Sequence, residues 1–181
     1  MAFYIACAIA AAAFSQAEIA AVYQPLLRER YHGTSASQMV VKDTSLPMPT
    51  LRGSLTDWLK QFDEVPPALT RGASQLSPKE SRRLEASMFP TGTRLVSATA
   101  VEAAFRGSGP QEKWSAFRHQ FGAQGWVAFS EALVADDQLN ALVYYEARCG
   151  GMCGEGGYAW LRRDTTSSPW RVAKKIISWM S

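Results

Sequence analysis

Residues 141–163 read ALVYYEARCGGMCGEGGYAWLRR, two runs of β-branched and aromatic side chains on either side of a glycine cluster. Gly150, Gly151, Gly154, Gly156 and Gly157 are five of the thirteen glycines of the chain, so this point reads as the end of a hairpin. In the first run Val143, Tyr145 and Ala147 share one face, opposite Leu142, Tyr144, Glu146 and Arg148. Neither face is purely polar. If Gly150, Gly151 and Met152 form the loop, Cys149 and Cys153 become cross-strand neighbours. An antiparallel non-hydrogen-bonded pair has Cα atoms about 4.5 Å apart, at the near edge of the disulfide range. Such a bond would fix the turn.

Working outward, Trp126 to Val134 precedes this hairpin and Trp170 to Trp179 follows it, both with strand composition and short connections. Four such runs in a row predict an antiparallel meander. Upstream the period changes to the helical one. Glu18 to Tyr31 carries Ile19, Val22, Tyr23, Leu26 and Leu27 at helical spacing, with Pro25 as a kink. Ser54 to Phe62, Ser77 to Met88, Thr99 to Phe105 and Lys113 to Phe121 read as further short helices. Residues 38–43 (QMVVKD) and Arg94 to Ser97 read as short strands, and the proline-bearing stretch 65–78 as a loop. Helices early and strands late predict an α+β fold: short N-terminal helices packed on one face of a C-terminal four-stranded antiparallel meander sheet.

The first seventeen residues, MAFYIACAIAAAAFSQA, contain no acidic or basic side chain. Ala2 to Phe14 has the length of a secretory h-region, and Ser15 and Ala17 place small residues at −3 and −1 of a cleavage site, although no cation precedes the run. A signal peptide over 1–17 and a single α+β domain over 18–181 follow, with export to a periplasmic or secreted location. Of three cysteines, Cys7 falls in that leader and an even pair remains, as suits an oxidising compartment. The run is too short to span a membrane, which needs roughly 20 apolar residues.

Nineteen Lys and Arg against sixteen Asp and Glu leave a net charge of +3 and a pI near 8.8. Nucleic-acid binding is not implied by so small an excess without a basic stripe. No metal or cofactor is expected: Cys149 and Cys153 have only the distant His32 and His119 to complete a zinc set. Thiol–disulfide chemistry would want a C-x-x-C at a helix N-terminus, whereas three residues separate the cysteines here and the flanks are strand-like. A hydrolase would use His119, Ser130 and Glu131, yet no G-x-S-x-G elbow surrounds the serine. Glu131, Glu146 and Glu155 lie in or beside neighbouring strands, where facing solvent is their ordinary role. Arg148, Arg162, Arg171 and Lys174, interleaved with Trp160, could form an aromatic-basic patch for an anionic envelope component or a protein; edge cations on a sheet are the alternative reading.

Gly125, Phe129-Ser130, Ala141-Leu142-Val143-Tyr144, Cys149-Gly150, Cys153-Gly154, Gly156 and Trp179 together resemble a pattern in uncharacterised secreted bacterial proteins, F-S, then A-L-V-Y, then C-G-x-x-C-G-x-G. The resemblance covers about residues 112–181. It implies export and a shared fold and brings no activity. The expected function is therefore a non-enzymatic binding or interaction module, with an envelope hydrolase or a Cys149/Cys153 redox protein as alternatives.

Overall fold

The computed structural model describes residues 16–31, 39–48, 59–60, 65–74, 81–106 and 109–181. The expected leader up to Ser15 and most of the expected 54–62 helix lie outside these. The described elements run α1 (Gln16–Tyr31), β1 (Met39–Lys42), α2 (Pro67–Ser74), a 3-10 turn (Ala86–Met88), β2 (Leu95–Val96), α3 (Ala98–Ala104), α4 (Pro110–Phe121), β3 (Gly125–Phe129), β4 (Leu133–Val134), β5 (Asn140–Gly150), β6 (Cys153–Arg162) and β7 (Arg171–Met180).

The α+β class holds, but the sheet is not the expected four-stranded antiparallel meander: β3 and β4 both pair with one edge of β5, and β5, β6 and β7 are antiparallel neighbours within a wider sheet. The sheet is larger than four strands and mixed. β1 lies parallel to β3, and β2 parallel to β1, giving the order β2-β1-β3-β5-β6-β7. The two short runs at 38–43 and 94–97 were each legible as strands. Their parallel pairing was not, because it depends on crossovers whose partners sit far away in sequence.

Helices cover both faces rather than one. Val41, Val127, Phe129, Val143, Tyr145, Ala159 and Leu161 pack against Val22, Tyr23, Leu26 and Leu27 of α1. On the opposite face Leu142, Tyr144, Tyr158 and Trp160 meet Leu69 of α2, while Val40, Trp126 and Ala128 meet Val101 of α3 and Trp114, Phe117 and Phe121 of α4. A sheet buried on both sides needs apolar residues at consecutive positions. That is why all five residues of β3 and Ala141 to Tyr145 of β5 are buried, and why no polar face showed in the sequence.

Two upstream expectations are corrected. Pro67 starts a helix inside the stretch read as a loop; a proline at N1 lacks only an N–H that would have no intrahelical acceptor, and Leu69 anchors the turn in the core. The expected 77–88 helix is instead extended over its described first part. Leu84 donates its N–H to the Asp43 carbonyl at 2.6 Å, Ser45 to Arg82 at 2.7 Å, and Thr44 bridges Arg83 antiparallel. Those backbone bonds replace helical ones, leaving only the 3-10 turn.

Candidate functional site

At the hairpin end of the sheet, on the face covered by α3 and α4, lies an open cleft of about 480 Å³. Period-two alternation puts Lys42 of β1, Trp126 of β3, and Glu146 and Arg148 of β5 on this face. The helices supply Glu102 and Phe105 from α3 and its C-cap, and Lys113 and Trp114 from α4. The Phe105 and Trp114 rings meet edge to face with centroids 4.8 Å apart, forming an aromatic wall. Ser97 caps α3 by accepting the Ala100 N–H at 3.4 Å, and Gly122 closes α4 in the left-handed region at φ +56°.

Lys42 holds its ammonium 4.0 Å from the centre of the Trp126 ring. The side chain is half-buried and makes no ion pair within 4 Å among the described residues. Burial pushes its pKa below the ordinary lysine value; Glu102 and Glu146 act upward, and Arg148 acts downward with the burial. Trp126 is 6% exposed, and its Nε1 has no acceptor among the described residues.

Beside Lys42 runs a relay of hydrogen bonds: Trp179 Nε1 donates to Tyr144 Oη at 3.1 Å, and Tyr144 donates to Glu146 Oε1 at 3.0 Å. The Arg148 guanidinium lies 4.7 Å from the centre of the Trp179 ring. A Cβ at position 156 would collide with that indole, so Gly156 gives Trp179 its seat on β6. Burial, the largest influence, raises the Tyr144 pKa. The phenol therefore stays protonated and donating.

Arg148 belongs to this cleft; the other members of the expected basic patch do not. Trp160 is buried, with Nε1 donating to Asn140 Oδ1 at 3.0 Å, and Arg162 and Arg171 converge on Asp164, the latter through two bonds of 2.7 and 2.8 Å. Lys174 pairs with Trp160 across the strands. Arg148 pairs with Gly154, six residues along β6 from Trp160, which is about 20 Å at 3.3 Å per residue. The five residues therefore form two separate groups.

The expected hydrolase residues are likewise not assembled. Ser130 is fully buried; its hydroxyl donates to the Glu131 carbonyl at 2.8 Å and accepts the Tyr144 N–H at 2.9 Å. Glu131 pairs with Arg82 at 3.0 Å, and His119 faces solvent on α4. No hydrogen bond or ion pair joins His119 to either among the described residues. Glu155 projects from the opposite sheet face and accepts the Tyr145 hydroxyl at 2.7 Å.

Cys149 and Cys153 stand within disulfide-bonding distance, their Cα atoms 5.1 Å apart. The register differs from the expected one: Gly150 pairs with Cys153, the turn is Gly151-Met152, and Cys149 is the extra residue of a bulge. The bulge brings the two side chains together although they are not direct partners.

Sequence reading missed Lys42, Glu102, Lys113 and Trp126 as a group. The only signal was a lysine ending the apolar run Met39-Val40-Val41, and nothing in one sequence ties it to an α3 glutamate. Among the described residues no helix is long and apolar enough to cross a membrane, and no group of three His, Cys, Asp or Glu side chains converges as a metal site. Fold and cleft define a three-layer α+β protein with a mixed sheet and a mixed-charge, aromatic-walled recess. No protein-family model matches the chain, and neither the curated proteins nor the solved structures yield a match.

Proposed function

We propose that the protein is an exported, non-enzymatic binding module, periplasmic or secreted, that seats an anionic envelope component in the cleft between α3, α4 and the β5–β6 hairpin. The observation that carries this reading is Lys42: a half-buried ammonium on an aromatic ring with no ion-pair partner at contact distance among the described residues. Burying part of a charge whose carboxylate neighbours, Glu102 and Glu146, stand beyond ion-pair distance costs stability, and a bound carboxylate in contact with it would offset that cost. Lys113 and Arg148 add two further cations, and Phe105 and Trp114 add an apolar wall. This combination suits the ring faces and carboxylates of an acidic glycan.

The reading takes residues 1–17 as a leader and the resemblance to secreted proteins as support for export. Cleavage after Ala17 would leave the buried α1 residues Val22, Tyr23, Leu26 and Leu27 in the mature chain. The test is a fluorescence titration of the cleft tryptophans with oligogalacturonate and, as control, a neutral cello-oligosaccharide. Saturable, salt-sensitive binding of the acidic glycan alone, lost in Lys42→Met, is expected. Equal response to both sugars, or unchanged binding by Lys42→Met, would remove the cleft as the site.

A further inference from the structure

The cleft that holds Lys42 also holds two carboxylates, Glu102 and Glu146, and neither pairs with a cation within 4 Å among the described residues. Opposite charges that share one recess attract each other, so something must hold them apart. At Glu146 the two indoles do so. Lys42 lies over Trp126 with its ammonium 4.0 Å from the ring centre, and Arg148 lies over Trp179 at 4.7 Å, so both basic neighbours of Glu146 are turned to ring faces.

The strand register fixes the separation. Ala128 pairs with Glu146, and carrying the β1–β3 register one residue on from Val41 and Val127 sets Lys42 beside Ala128. Lys42 and Glu146 thus stand two strand spacings apart, about 10 Å at Cα, with one alanine between them. Glu146 takes its hydrogen bond from a neutral donor instead of a cation. Tyr144 donates to Oε1 at 3.0 Å and is itself held by Trp179 Nε1 at 3.1 Å. The second carboxylate oxygen, Oε2, accepts no hydrogen bond among the described residues and is left to the cleft. A carboxylate oriented by a phenol keeps its full charge for an incoming donor.

We infer that the ligand of this cleft carries an ammonium beside its carboxylate, and that Glu146 receives the ammonium while Lys42 receives the carboxylate. The inference rests on the anion-binding reading above and narrows it: the ligand class becomes acidic glycans with free amino groups, and Glu146 is the residue that selects them. A ligand bearing carboxylates alone meets Glu146 as a like charge, which counts against it. An ammonium turns the same side chain into the acceptor of a charge-assisted hydrogen bond.

The test titrates the full chain, followed by tryptophan fluorescence, with two tetrasaccharides of alternating glucuronate and glucosamine units, one N-acetylated and one with its amines freed. At about pH 6 the freed amines are protonated, and the two sugars differ only there. The free-amine sugar should bind about tenfold more tightly. Glu146→Gln, whose amide oxygen still accepts the Tyr144 hydroxyl, should erase that preference and bind the acetylated sugar more tightly than the native chain does. Glu102→Gln removes the same charge from the helix side of the cleft and should diminish the preference by less than about twofold. Equal binding of the two sugars, a preference that survives Glu146→Gln, or one that falls as far in Glu102→Gln would overturn this inference and leave the anion-binding reading standing. Binding of neither sugar would remove that reading and the inference together.

Discussion

Ser130 shows how one hydroxyl sets a local geometry. Phe129 pairs with Tyr145 and Leu133 with Leu142, so four steps on the β3–β4 side match three on β5, and a residue must bulge. The Ser130 carbonyl accepts the Tyr23 hydroxyl at 2.9 Å, and its Oγ accepts the Tyr144 N–H in a position where a ladder carbonyl would otherwise serve. Ser130→Ala leaves that buried N–H without an acceptor. A loss of about 1–3 kcal/mol is expected in urea unfolding, with the slope unchanged. Lys42 behaves in the opposite sense. Its pKa is lowered on folding, so the fold disfavours the charged form; the penalty is full well below the folded pKa and is relieved as pH rises through it toward 10.5. Lys42→Met should therefore stabilise the ligand-free protein at pH 7, with the advantage shrinking in alkaline buffer. An equal advantage at every pH would mean that charge burial is not the cause.

Among the elements, the β5–β6 hairpin lends Glu146, Arg148, Gly150 and Gly151 to the cleft and carries the Cys149 bulge at its end. A bond between Cys149 and Cys153 closes a very small ring, worth about 2 kcal/mol or less in the loop-entropy description. Cys149→Ser with Cys153→Ser should lower the unfolding free energy by that order and leave acidic-glycan binding in place, because Lys42 and Trp126 sit on other strands. Gly156→Ala should act more locally. The indole of Trp179 must leave β6, which removes its hydrogen bond to Tyr144 and the seat of Arg148. A change in tryptophan emission together with weaker anion binding is the expected readout. The hairpin itself was legible from its glycines. Its register was not, since a one-residue bulge leaves composition unchanged while shifting which residues face each other.

For the whole molecule, three layers explain both stability and its pH limits. Tyr23 is buried against Phe89 and Phe129, and Tyr158 is fully buried behind Tyr144. Burial raises the pKa of all three tyrosines, most of all Tyr23 and Tyr158. Below the ordinary tyrosine value near 10 both states hold the phenolic protons, and above it the unfolded chain releases them first. Stability should therefore fall as pH rises past about 10, and Tyr158→Phe should blunt that fall in thermal unfolding followed between pH 9 and about 11.

By itself the sequence determined the local elements of the C-terminal meander, the hairpin, the amphipathic first helix and the α+β class, because each rests on periodicity or turn chemistry within a few residues. Tertiary structure decided the rest. It turned the meander into a mixed sheet by adding β1 and β2 in parallel, and placed helices on both faces. It separated Arg148 from Trp160, Arg162, Arg171 and Lys174, and built the Lys42 cleft from strands and helices distant in the chain. The reason is that a site is set by pairing partners and layer order. These depend on which distant surfaces bury each other, and that is not written in any one segment.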